Sequence, residues 1–116
     1  MRALLDEQVP VELAGLVAEA GPQHVVRTVA DEGWKGLQNG ALLQRMRETG
    51  YEALITVDRR MEYQQNIPRS GIGMVVLHAR RARIQELAPL APAIAEALNT
   101  LKPGTIVHLT APPPNL

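Results

Sequence analysis

The succession of apolar runs and helical periodicities in this chain predicts an α/β domain built around a mainly parallel central sheet. Three observations carry that expectation. Strand-like and helix-like segments alternate from the first residues to residue 109, the pattern of βαβ units, because parallel neighbours need a crossover long enough to hold a helix. The strand-like segments are short and apolar throughout, as strands covered on both faces are. A length of 116 residues suits one hydrophobic core and not two.

The elements follow in order. Residues 2–5 are an apolar run ended by Asp6 and read as a buried strand. Residues 10–20 place Leu13, Leu16, Val17 and Ala20 at helical spacing, with Pro10 in the first turn and Gly21 just past the end. The β-branched stretch from His24 to Val29 predicts a second strand. Leu42, Leu43 and Met46 predict a helix over 39–49, with Asn39 as its N-cap and Gly50 as its stop. Residues 53–57 form another apolar run, and it too ends in an aspartate, Asp58. A long polar loop is expected over 59–71, and residues 73–77 are the most strand-like segment of the chain. Pro89 and Pro92 divide the helical stretch from Arg81 to Leu101 into a short helix, a break and a helix from about Ala91 to Leu101. Pro103-Gly104 makes a turn before a last strand over 105–109, so that residues 1–110 form one domain. Residues 111–116, with Pro112, Pro113 and Pro114 in a row, read as an extended, mobile tail.

Composition narrows the function classes. Twelve Lys and Arg balance twelve Asp and Glu, which argues against a protein that holds nucleic acid by bulk charge. The absence of cysteine excludes a disulfide scaffold, a cysteine zinc site and a thiol nucleophile. No apolar run approaches the roughly 18 residues of a membrane span, and the N-terminus lacks a signal-peptide pattern; a soluble, cytoplasmic protein with no membrane partner is expected. Ser70 lies in no Gly-x-Ser-x-Gly elbow, and no phosphate-binding loop or dinucleotide fingerprint is present. The histidines, His24, His78 and His108, lack metal-ligand spacing, although His78 falls at a strand end.

The strand ends are where chemistry is expected, because ligands of open parallel sheets bind outside the carboxyl ends of the strands. The first strand runs into Asp6-Glu7 and the 53–57 strand into Asp58. If these strands are neighbours, three carboxylates gather at one edge, and their repulsion favours a hard divalent cation, Mg²⁺ or Mn²⁺. The competing reading is ordinary: an Asp after a strand is often a turn former or helix cap. The basic residues are uneven. Six arginines (59, 60, 69, 80, 81 and 83) meet only one acid, Glu62, between residues 59 and 83, a local excess of five positive charges balanced by the remainder. Both arginine clusters follow strands and are expected to flank the acidic pocket, where Arg59, Arg60 and Arg80 would hold phosphates. Gln65 and Asn66, in the polar loop, offer amides to a substrate or, more ordinarily, to local backbone.

Several segments together carry a resemblance. Leu4-Leu5-Asp6-Glu7-Gln8-Val9-Pro10, Gly33-Trp34-Lys35-Gly36-Leu37-Gln38-Asn39-Gly40, Leu54-Ile55-Thr56-Val57-Asp58-Arg59 and Tyr63-Gln64-Gln65-Asn66 occur in that order. The set resembles the small PIN-like domains, predicted nucleases and toxin–antitoxin components, over roughly residues 1–101. The resemblance implies a three-layer, PIN-like α/β/α sandwich fold and a Mg²⁺- or Mn²⁺-dependent ribonuclease site with Asp6 and Asp58 as catalytic ligands; Glu7, from the strand-end reading, is a further candidate metal ligand. It also implies RNA as substrate, an antitoxin protein as partner, and a homodimer. Asn39-Gly40 is followed by Ala41 where the family pattern carries Glu. Asn39 would then supply a neutral oxygen, and a catalytically degenerate binding module is the competing expectation. A receiver-like signalling domain, with Asp58 as phospho-acceptor, is a third; receivers place a lysine after their last strand, and nothing basic follows Leu109.

Overall fold

The structure is a computed structural model that describes residues 1–113. Five strands, β1 (Arg2–Leu5), β2 (Val25–Thr28), β3 (Ala53–Thr56), β4 (Gly73–His78) and β5 (Ile106–Thr110), form one sheet in the order β2-β1-β3-β4-β5. Every pairing is parallel, so the expected α/β/α sandwich has a sheet that is parallel throughout. The helices are α1 (Glu12–Ala20), α2 (Val29–Glu32), α3 (Asn39–Glu48), α4 (Met61–Gln64), α5 (Ile67–Ser70), α6 (Ile84–Leu87) and α7 (Ala91–Thr100), with a 3₁₀ turn over Ala88–Leu90.

Alternation along the strands sorts the core into two layers. Ala3, Leu5, Ile55, Val75 and Leu77 meet α1, α6 and α7 through Leu13, Val17, Leu87, Ile94 and Leu98. Leu4, Leu54, Met74 and Val76 face the other way, against Leu42, Leu43 and Met46 of α3 and against Met61 and Ile67. Because both faces of the central strands are covered, β3 is buried at every position, which explains why its sequence is apolar without alternation.

The distribution of helices also fixes handedness. α1 and α7 share a face, yet α1 carries the chain from β1 to its neighbour on one side, and α7 carries it from β4 to β5 on the other. These two crossovers are therefore of opposite hand. The links β2 to β3 and β3 to β4 use the second face and agree in hand with the first, so the β4-to-β5 crossover is opposite in hand to the other three, although parallel sheets almost always keep a single hand.

Local differences from the sequence expectations have local causes. Strand β2 ends at Thr28, one residue early, because Thr28 Oγ1 accepts from Asp31 N at 3.0 Å while an Asp31 carboxylate oxygen accepts from Thr28 N at 2.9 Å. That reciprocal capping box starts α2 where a strand end was expected. Asn39 is the first helical residue of α3 and not its cap; Gln38 holds the cap position without a side-chain bond. The polar loop after Asp58 contains two one-turn helices, since Met61 and Ile67 are pulled into the core. Helix α6 starts only at Ile84, leaving Arg80–Arg83 as exposed loop. The start of the expected tail is held against the body: Ala111 packs on the core and donates its N–H to His78 O at 2.7 Å, and Pro112 and Pro113 line a cavity with His78. Pro114, Asn115 and Leu116 lie outside the described residues.

Candidate functional site

Strands β1 and β3 are adjacent, and the chain leaves them toward opposite faces of the sheet. That divergence opens a crevice at their carboxyl ends, the place where open parallel sheets bind ligands. The sheet ladder runs one residue beyond β1, with Asp6 N donating to Ile55 O at 2.9 Å, and this pins the Asp6 backbone at the crevice floor. Its carboxylate accepts from Glu7 N at 2.8 Å and from Thr56 Oγ1 at 2.7 Å. Thr56 is fully buried at the end of β3, and its hydroxyl also accepts from Asp58 N at 3.0 Å. One hydroxyl thus fixes the Asp6 carboxylate and the backbone of Asp58 together.

Asp6, Glu7, Asn39 and Asp58 line a single pocket of about 140 Å³, together with Trp34, Gly36, Leu37 and Leu42. The expected neighbourhood of the two aspartates is present. Asn39 reaches it because α3 begins there, so the residue that was expected to cap the helix lines the pocket instead. Glu7 is committed elsewhere: Oε1 accepts from Gly36 N at 2.7 Å. Gly36 can present that N–H because its φ is +83°, a conformation that L side chains resist. Asp58 Oδ1 accepts from Arg60 N at 2.9 Å and lies 3.7 Å from Arg60 Nε. Ala41 is exposed and is not among the residues that line the pocket.

The other expected substrate residues divide among separate places. Arg60 stays beside Asp58 with an exposed side chain. Arg59 and Arg80 line a different, larger cavity at the ends of β4 and β5, so of the three expected arginines only Arg60 adjoins the carboxylate pocket. Gln65 and Asn66 border a third pocket with Arg47 and Arg69. The Asn66 side chain accepts from Arg69 N at 3.2 Å and caps α5, the ordinary role of an amide at a helix start.

Among the described residues no three His, Cys, Asp or Glu side chains gather closely enough to hold a metal ion by themselves. The oxygen donors of the carboxylate pocket are of the hard type that Mg²⁺ and Mn²⁺ take. Two carboxylates and an amide suit the common Mg²⁺ arrangement, in which waters and substrate phosphates complete the coordination.

Sequence reading gave no role to Thr56, although it is the one hydroxyl in the apolar 53–57 run. It also passed over a linked set at the other end of the sheet. His78 Nε2 lies 2.7 Å from His108 Nδ1, and His108 Nε2 lies 3.1 Å from Glu62 Oε1. His78 pairs in register with Thr110, and His108 pairs with Val76; the two imidazoles are thus diagonal neighbours on one face of the sheet. Burial, followed by the nearby His108 and Arg59 charges, holds the His78 pKa below the usual 6.5.

Among the described residues no helix is long and apolar enough to cross a membrane. Comparison of the chain with models of known protein families, with curated proteins and with solved structures gives no match.

Proposed function

We propose that the chain is a PIN-like, divalent-cation-dependent ribonuclease whose reaction centre is the pocket between β1 and β3. The observation that carries this reading is the convergence of Asp6, Asp58 and Asn39 on one pocket at the point where the chain diverges from the sheet. Asp6 and Asp58 would hold Mg²⁺ or Mn²⁺, with Asn39 as a neutral oxygen donor. When bound, such a cation stabilises the charge that develops on a phosphodiester and increases the acidity of water. The chain's own contribution is orientation. Thr56 holds one Asp6 oxygen, the Asp58 backbone is tied to the same hydroxyl, and Arg60 offsets part of the Asp58 charge. Activity would depend on substrate completing the coordination, because the protein supplies few ligands. Catalysis as part of a toxin–antitoxin pair, and a homodimeric state, belong to the same proposal and rest on the resemblance alone.

A catalytically degenerate binding module is the second reading, favoured by the fact that no three-ligand group gathers among the described residues. The family pattern's acid at position 41 is replaced by Ala41, which supplies no ligand to the pocket. In purified protein with an unstructured oligoribonucleotide, cleavage is expected with Mg²⁺ or Mn²⁺ and none with EDTA. Asp6→Asn and Asp58→Asn are each expected to lower the rate about a hundredfold or more, as loss of several kcal/mol of charge stabilisation requires. Thr56→Val, nearly the same shape, is expected to lower the rate less and to cost about 1–3 kcal/mol of stability, read by urea denaturation, through the lost buried hydrogen bonds. No cleavage by the wild type with either cation, or full activity in both Asn variants, overturns the ribonuclease reading; RNA binding without cleavage establishes the second.

A further inference from the structure

The larger cavity at the carboxyl ends of β4 and β5 has a volume of about 470 Å³ and contains neither Asp6 nor Asp58. Its polar lining is Arg59, His78, Arg80, Thr110 and Glu86. Two guanidinium groups outnumber the one carboxylate, so the site favours an anion. Guanidinium forks match the oxygens of a phosphate, and their charge-assisted bonds are stronger than neutral ones. The remaining wall is apolar, made by Ala79, Ala111, Pro112 and Pro113. An inorganic anion would leave that surface uncovered, whereas the flat base and sugar of a nucleotide would cover it.

His78 is placed by a chain of hydrogen bonds. The Glu62 carboxylate can only accept, so His108 donates from Nε2. The Nδ1 of a neutral His108 is then an acceptor, and His78 must donate to it from Nε2. This leaves His78 Nδ1 for a ligand, and a bound phosphate favours a proton there.

We propose that this cavity binds a phosphorylated ribonucleoside, with Arg59, Arg80 and His78 on the phosphate, the proline wall against the base, and Glu86 positioned to accept from sugar hydroxyls. The same chemistry is presented by a free ribonucleoside monophosphate and by the 5′-phosphate end of an RNA strand. The site uses different residues from the carboxylate pocket and needs no cation, so its test is run in EDTA and stands whatever becomes of the ribonuclease reading.

Titration calorimetry on the full chain would compare adenosine 5′-monophosphate, adenosine, inorganic phosphate, and a five-residue oligoribonucleotide with and without a 5′-phosphate. The monophosphate is expected to bind at least about tenfold more tightly than adenosine or inorganic phosphate, the size of one good charged contact. Arg80→Gln and Arg59→Gln, both at exposed positions that do not carry the core, are each expected to weaken it about tenfold, while Arg45→Gln, on exposed α3 surface away from the cavity, leaves it unchanged. Tighter binding of the 5′-phosphorylated oligoribonucleotide than of the mononucleotide assigns the site to strand ends; the reverse assigns it to free nucleotide. Equal binding of adenosine and its monophosphate, binding that Arg59→Gln and Arg80→Gln leave intact, or no saturation by any phosphorylated probe overturns the proposal.

Discussion

Which nitrogen of His78 carries a proton, and at what pH it gains a second, is decided by its neighbours. Burial disfavours the charged ring most, and the His108 and Arg59 charges add to that, while Glu62 opposes them. The unfolded chain, with an ordinary pKa near 6.5, therefore binds a proton more readily than the native protein between the lowered native pKa and 6.5. Stability from this group is fully present above about pH 6.5 and is lost as pH falls through that window. An NMR titration of the His78 ring, assigned with His78→Asn, is expected to give a midpoint below 6.5, and His108→Asn is expected to raise it only part of the way, because burial remains. A midpoint at or above 6.5 in the wild type would contradict this account. The two aspartates of the candidate site were legible in the sequence, because an acid that ends an apolar strand is visible without knowing the strand's neighbours. Thr56, His108 and Glu62 were not: their partners lie 50, 30 and 46 residues away, and only the pairing of the strands and the packing of α4 bring them together.

At the scale of elements, the alternation of strand and helix reports which segments form but not the order in which strands pair. Short apolar strands carry no mark of their neighbours, so adjacency of β1 and β3, on which the carboxylate pocket depends, was a condition and not a reading. The reversed crossover from β4 to β5 was hidden for the same reason. Its last turn shows how that course is held. Gly104 has φ +73°, its N–H donates to Ile72 O at 3.2 Å, and a Cβ there would lie 2.7 Å from Pro68 O and 3.1 Å from Pro68 Cα. The connection into β5 is thus pressed against α5, where only glycine fits. Gly104→Ala is expected to cost about 2–4 kcal/mol, combining left-handed strain with overpacking. Gly50→Ala, with φ +83° but open space around it, is expected to cost about 1 kcal/mol from strain alone. Urea denaturation of the two variants separates the terms; equal losses would mean that the contact with Pro68 is not tight.

Across the whole molecule, the equality of positive and negative charge conceals a separation that matters for a polyanion. The protein extends over 42 × 29 × 26 Å, several times the roughly 8–10 Å over which salt screens exposed charges. A strand of RNA at the carboxyl ends of β3 and β4 therefore responds to the arginines beside it and little to acids on distant surfaces. Those arginines are few. Arg59 and Arg80 share one cavity, Arg60 is partly offset by Asp58, and Arg69 lies apart in another pocket. With about three phosphates neutralised, the logarithm of the binding constant for single-stranded RNA is expected to fall with the logarithm of salt at a slope of about −2. Raising salt from about 50 to 200 mM would then weaken binding roughly 15-fold. Arg59→Gln is expected to make the slope shallower by about 0.7, because one phosphate contact is removed. Fluorescence anisotropy of a labelled oligoribonucleotide in EDTA measures both. A slope steeper than about −5 would mean that RNA wraps far beyond the strand ends, and a slope near zero would remove the arginines from recognition altogether.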